Sequence, residues 1–216
     1  MKIVIDGNIG AGKTTQLNIL EKMGAKVFKE PIDQWPLEEF YADPKKGIFP
    51  LQMAILRTLE PQGPGIYERS LLSSRWVFWE HAKRKGLVEH VETYEYFYEK
   101  HAWSPDLYIF LSKTPEECYA RIQKRHQTGD GKVTLNYLKD LDILYKDMLA
   151  KIPCPVHLVD ASGTPEEIHA KILHIINNNE RSEVLFSDGP RKEVQESRKS
   201  RGKVRCAPCP DVCRMS

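Results

Sequence analysis

Short apolar runs alternate with longer stretches of helical period along most of the chain. Ile3-Val4-Ile5, Ala25-Lys26-Val27-Phe28, Gly65-Ile66-Tyr67-Glu68, Leu107-Tyr108-Ile109-Phe110-Leu111 and Val156-His157-Leu158-Val159-Asp160 read as strands. Helical spacing of apolar positions covers 15–23, 36–41, 48–59, 73–85, 88–102, 114–125, 135–151 and the stretch from 164 onward. Thr114-Pro115-Glu116-Glu117 and Thr164-Pro165-Glu166-Glu167 each put a capping threonine ahead of a proline at the first helical position. Asp43-Pro44-Lys45-Lys46-Gly47 reads as a turn between two helices. Strands alternating with helices predict an α/β fold, a five-stranded parallel sheet covered by helices on both faces.

The polar residues narrow the picture by what they exclude. The formal net charge is only +2, so no strong field favours nucleic acid or an acidic membrane. No apolar run approaches the roughly 18 residues of a membrane span. The chain opens directly on its first strand, so no targeting leader is expected. Five cysteines are too few and too unevenly placed for a disulfide framework, which points to a reducing setting such as the cytoplasm. The composition changes after Asn177-Asn178-Asn179, where apolar periodicity stops and basic residues gather. Two segments follow from this: a catalytic domain at 1–178 and a C-terminal tail at 179–216 that is expected to be disordered. The tail carries Cys206, Cys209 and Cys213, which lack an obvious fourth metal ligand.

The strongest chemical signal lies between the first strand and the first helix. Gly7-Asn8-Ile9-Gly10-Ala11-Gly12-Lys13-Thr14, followed by Thr15, fits the phosphate-loop pattern G-x-x-x-x-G-K-[ST] at every fixed position. Glycines let successive backbone N–H groups curl around phosphates without Cβ clashes. The helix that starts there turns its positive end to the anion. Lys13 can reach the β- and γ-phosphates of ATP, and the Thr14 hydroxyl can ligand Mg²⁺.

Charged residues at other strand ends suggest an acceptor. In a doubly wound sheet the carboxyl ends of the strands face the ligand crevice. Glu30-Pro31 leaves the second strand there, with Trp35 close behind as a wall for a flat ring. Glu68-Arg69-Ser70 leaves the third, where Arg69 could hold Glu30 ionised and Glu68 could reach Mg²⁺ through water. Arg121 and Arg125 end the helix after the fourth strand, next to the polar loop Thr128-Gly129-Asp130-Gly131. Cations on such a lid neutralise a phosphoryl group in transfer.

Taken in order and spacing, these markers resemble the deoxyribonucleoside kinase family, which includes deoxycytidine, deoxyguanosine and mitochondrial-type thymidine kinases and the insect multisubstrate enzyme. The resemblance covers about residues 1–175. It rests on Gly7 to Thr15, Glu30-Pro31 with Trp35, Tyr41, Gln52, Glu68-Arg69-Ser70 and the Arg121/Arg125 lid. It implies a P-loop kinase fold and ATP-dependent 5′-phosphorylation of a deoxynucleoside. Glu30 would be the general base, with Arg69 beside it and Lys13, Arg121 and Arg125 on the phosphates. Gln52 would read the base edge, Trp35 and Phe78 would sandwich the ring, and Ile55 would line the pocket. Tyr41 would bind the sugar 3′-hydroxyl, with Asp130 standing where the family has a lid glutamate. Deoxycytidine-type members set an Arg and an Asp against the base; the matching positions here are Leu59 and Ser74. An uncharged pocket implies thymidine first, then deoxyuridine and deoxycytidine, and purines poorly. A homodimer is also implied.

Two other readings compete. Thymidylate kinase shares a related fold and an arginine-rich lid, but its loop usually runs Gly-x-Asp-x-x-Gly-Lys. A non-enzymatic P-loop module, such as a GTP-dependent switch, would need a guanine-reading N-K-x-D stretch, and none is found.

Overall fold

The computed structural model describes residues 1–125 and 130–179. Its centre is a parallel sheet of five strands: β1 (Lys2–Gly7), β2 (Val27–Phe28), β3 (Gly65–Glu68), β4 (Leu107–Ser112) and β5 (Val156–Asp160). The five parallel strands are as the alternating pattern predicts, and their order across the sheet is β2-β3-β1-β4-β5. The near-continuous apolar runs of β1 and β4 fit strands buried on both faces. In register, Ile5 stands beside Glu68 on one side and Ile109 on the other.

Alternate residues feed two cores. Ile3, Ile5, Ile66, Leu107, Ile109 and Leu111 turn to one face. There they pack with α1 (Lys13–Lys22), α7 (Pro115–Arg125) and α9 (Pro165–Asn177). Val4, Tyr67, Tyr108 and Phe110 turn to the other face. Their partners come from α3 (Pro44–Thr58), α6 (Val91–His101) and α8 (Leu135–Leu149), and from a run joining α4 (Leu71–Ser73), a π-helical Ser74–Trp79 and α5 (Glu80–Arg84). A period-2 strand sandwiched between helices produces this division.

One local expectation changes. The turn read at 43–47 is instead the start of α3, which follows α2 (Leu37–Ala42) almost directly. Asp43 caps it by accepting from the Lys46 N–H at 3.3 Å, and Pro44 takes the first helical position. Gly47 lies where a Cβ would sit 2.4 Å from Phe40 Cα, so it lets α2 and α3 touch rather than marking a loop. The aromatic run on α6 divides: Tyr94 is buried, but Tyr96 and Phe97 are exposed.

No helix among the described residues is long and apolar enough to cross a membrane. The tail's three cysteines and the lid residues 126–129 lie outside the described residues.

Candidate active site

Because all five strands are parallel, their carboxyl ends share one edge of the sheet, and the chemistry gathers there. The phosphate loop leaves β1. Gly10 and Gly12 hold φ of 85° and 106°, a region costly for other residues. A Cβ on Gly10 would meet the Cys118 carbonyl at 2.7 Å, and one on Gly12 would meet Arg121 Nη1 at 2.8 Å. The loop is therefore held closely against α7. Lys13 Nζ donates to the Gly7 and Asn8 carbonyls at 3.1 and 3.2 Å. Burial, then Arg69, lowers its pKa to about 8, while Glu30, Glu68 and Asp6 oppose the shift.

Not every loop residue faces a ligand. Asn8 Nδ2 donates to the Leu138 carbonyl at 2.9 Å, and its Oδ1 accepts from the Ile9 N–H at 2.9 Å. Its side chain thus braces the loop against α8. Ala11 packs into the core. Thr15 Oγ1 accepts from Arg121 Nη2 at 3.0 Å. Arg121 accordingly sits over the loop and outside the cavity lining, whereas Arg125 lines the cavity.

One cavity of about 480 Å³ opens beside the loop. Ile9, Gly10, Lys13 and Thr14 form its phosphate end. Glu68 meets Thr14, and Arg69 touches Gly7, Glu30 and Phe78; Trp35, Tyr41, Gln52, Ile55, Leu59, Ser74 and Phe78 also line the cavity. The sequence-predicted acceptor residues thus converge on one space, of a size suited to a small ligand. Only Asp130 is left out of this comparison: its backbone belongs to a short 3₁₀ turn, Asp130–Lys132.

Arg69 is the hub. Its backbone adopts φ 61°, a left-handed conformation that a long side chain rarely takes and that costs on the order of 1–3 kcal/mol. The surroundings hold it there. Arg69 Nη1 lies 3.6 Å from Glu30 Oε1, and Nη2 donates to the Gly7 carbonyl at 3.3 Å. The guanidinium also stacks 4.8 Å over the Phe78 ring. Its Nε pairs with Asp6 Oδ1 at 3.3 Å, as an ion pair rather than a directed hydrogen bond. Burial works against the arginine's charge, but Glu30 and the other acidic groups outweigh it and raise its pKa above the ordinary value. Glu30 moves the other way from a usual ion-paired acid. Burial raises its pKa to about 7, because Arg69 and Lys13 only partly offset the desolvation and the nearby Glu68 and Asp6.

Asp6 was not read from the sequence as a site residue. It is fully buried one residue before the loop. Its carboxylate accepts from Tyr108 Oη at 2.5 Å, Tyr145 Oη at 3.2 Å and the Gly7 N–H at 2.6 Å. The available signal was a carboxylate ending a wholly apolar strand, a position that must find partners. Tyr137 and His81 also line the cavity unforeseen, with rings 4.8 Å apart. Tyr137, Leu141 and Tyr145 follow four-residue spacing on α8, a stripe that reads as ordinary core until the fold turns it to the site.

Thr14 Oγ1 donates to Glu68 Oε1 at 2.8 Å beside the phosphate end. Two oxygen donors there suit a hard cation such as Mg²⁺, which usually arrives with phosphate oxygens and keeps water. Among the described residues no cluster of three His, Cys, Asp or Glu could hold a metal alone.

A family profile described as deoxynucleoside kinase matches residues 3–184, which is most of the chain. The chain belongs to the deoxynucleoside kinase family. A putative kinase, protein 143R of Invertebrate iridescent virus 6, is 32% identical over 82% of this chain and 96% of its own length. The thymidine kinase of Ictalurid herpesvirus 1 is 31% identical over 80% of this chain and 84% of its own. Human mitochondrial thymidine kinase 2 is 29% identical over 77% and 72%. Among solved structures, a deoxyadenosine kinase from M. mycoides, with the products dCMP and dCDP bound, superposes with a TM-score of 0.73. It is 28% identical, covering 82% of this chain and 98% of that one. The fold is thus that of the P-loop deoxynucleoside kinases, and the chain is a kinase that phosphorylates deoxynucleosides.

Proposed function

We propose that this deoxynucleoside kinase moves the γ-phosphate of ATP to the 5′-hydroxyl of a pyrimidine deoxynucleoside, thymidine first. The observation that carries this reading is the Glu30–Arg69 pair, 3.6 Å apart, standing between the phosphate loop and the Gln52 end of one cavity. Glu30 takes the proton of the 5′-hydroxyl as its oxygen bonds to the γ-phosphorus and the bond to the ADP oxygen breaks. A pKa of about 7 makes it a far better base than an exposed glutamate, with about half of it ionised at neutral pH. Arg69, fixed from behind by Asp6, orients Glu30 and meets the 5′ oxygen. Lys13, Arg121 and Arg125 carry the charge of the phosphates. Thr14 and Glu68 would hold Mg²⁺, which when bound neutralises phosphate charge. The rest is positioning, in which Trp35 and Phe78 flank the base, Tyr41 and Asp130 hold the sugar 3′-hydroxyl and Gln52 reads the base edge.

Thymidine is favoured because Leu59, Ile55 and Ser74 put no charge against the base. Cytoplasmic location and a homodimer complete the reading.

The test offers thymidine, deoxycytidine, deoxyadenosine and thymidylate separately with labelled ATP. Label on thymidine, with less on deoxycytidine and little on deoxyadenosine, supports the reading. Transfer chiefly to deoxyadenosine overturns the pyrimidine preference, and transfer to thymidylate alone overturns the nucleoside acceptor.

A further inference from the structure

Gln52 lines the cavity yet is almost sealed, at 1% exposure. Its Oε1 accepts from Ser74 Oγ at 2.6 Å and lies 3.5 Å from the Tyr94 hydroxyl. Tyr94 comes from α6, outside the cavity lining. It is fully buried, and its ring stacks on Trp79 with centroids 4.0 Å apart. Ser74 also acts on this hydroxyl, opposing the rise that burial gives its pKa. Phenol and serine hydroxyl therefore converge on the amide oxygen behind the cavity wall as a triangle of polar groups.

An amide has nearly the same shape either way round, so sterics do not decide which end faces the hydroxyls. The protons do. With Oε1 turned to them, Tyr94 and Ser74 each have an acceptor. With the amide reversed, Nε2 becomes a donor to both oxygens, and the two hydroxyl protons have at most one acceptor between them. One buried proton is then stranded, which is costly among side chains buried this deeply. No described residue bonds Gln52 Nε2, so its protons remain for a ligand.

We infer that Tyr94, a positioning residue that touches no substrate, sets the base preference by fixing which way the Gln52 amide faces. This rests on the nucleoside-kinase reading of the cavity and deepens it. A thymine edge offers a carbonyl oxygen beside an N–H. A cytosine edge offers an amino group beside a bare nitrogen, the reverse order. A fixed amide accepts one order and rejects the other. An amide free to flip accepts both.

The experiment compares kcat/KM for thymidine and for deoxycytidine in the full-length protein, in Tyr94→Phe and in Tyr98→Phe. Tyr98 lies on the same helix, 6.3 Å from the Tyr94 ring, and serves as the control. The wild type is expected to favour one nucleoside by roughly tenfold or more, the effect of one well-made hydrogen bond. Tyr94→Phe should bring the ratio within about threefold, mainly by gain on the disfavoured nucleoside, while the KM for ATP stays put. Tyr98→Phe should leave the ratio intact. Ser74→Ala breaks the triangle at its middle and should relax the ratio as well, which keeps the inference testable if Tyr94→Phe fails to fold. A ratio that survives both Tyr94→Phe and Ser74→Ala, or one that Tyr98→Phe moves equally, overturns it. A wild type that turns over both nucleosides equally also overturns it. A wild type that turns over neither overturns the pyrimidine reading beneath it, before any variant is made.

Discussion

Glu30 Oε1 lies 3.6 Å from Arg69 Nη1, yet its pKa is raised rather than lowered. An arginine at that range ordinarily makes a carboxylate more acidic. Here Arg69 is shared with Asp6, and the burial of Glu30 outweighs what attraction remains. Under the proposed function, this arrangement suits a poised base and its orienter more than a stabilising ion pair.

The pH dependence follows with a definite sign. Glu30 accepts a proton only when ionised, so kcat/KM should fall about tenfold per unit below pH 7. Lys13 holds phosphate only when protonated, so kcat/KM for ATP should also fall above about pH 8. A narrow bell with limbs near those values is expected from initial rates across pH 5–10. An acid limb near the ordinary glutamate range would mean that Glu30 is not the group seen.

Asp6 anchors the hub from inside. Asp6→Asn keeps the shape but takes away one of the two carboxylates paired with the buried Arg69, leaving only Glu30. Denaturant unfolding should show a loss of about 3 kcal/mol. The kcat should fall on the order of tenfold as Arg69 loses its fixed position, with the nucleoside Kd changing less. Unchanged stability would remove Asp6 from the network.

Gly10→Ala tests the loop. The new Cβ would meet the Cys118 carbonyl at 2.7 Å in a backbone held at φ 85°. Strain of about 1–3 kcal/mol should weaken ATP binding by on the order of tenfold, with nucleoside binding kept. Calorimetric titration of each ligand separates the two effects.

Much of this was legible in residue order, and what escaped has physical reasons. The phosphate loop, the charged strand ends and the alternation of strand and helix are local patterns, and each was readable. The aromatic and amide lining needed the family resemblance, because Tyr41, Gln52 and Phe78 look like ordinary helix residues in isolation. Asp6, Tyr108 and Tyr145 meet only after β1, β4 and α8 pack, so their bonds span more than a hundred residues. Tyr94 likewise reads as helix packing; its hydroxyl acquires meaning only beside Ser74 and Gln52. At 43–47 Pro and Gly punctuate the chain, but as a helix start and a close approach rather than a turn. The same residues that break a chain also open a helix and admit a close neighbour.

The most direct measurement is a single-turnover assay of Glu30→Gln with saturating ATP and nucleoside, beside nucleoside binding by titration. Amide for carboxylate preserves size and removes the proton acceptor. Phosphoryl transfer should slow by about 100-fold or more while the nucleoside Kd stays within a few fold. Transfer at the wild-type rate, or a loss wholly explained by weaker nucleoside binding, would contradict Glu30 as the base.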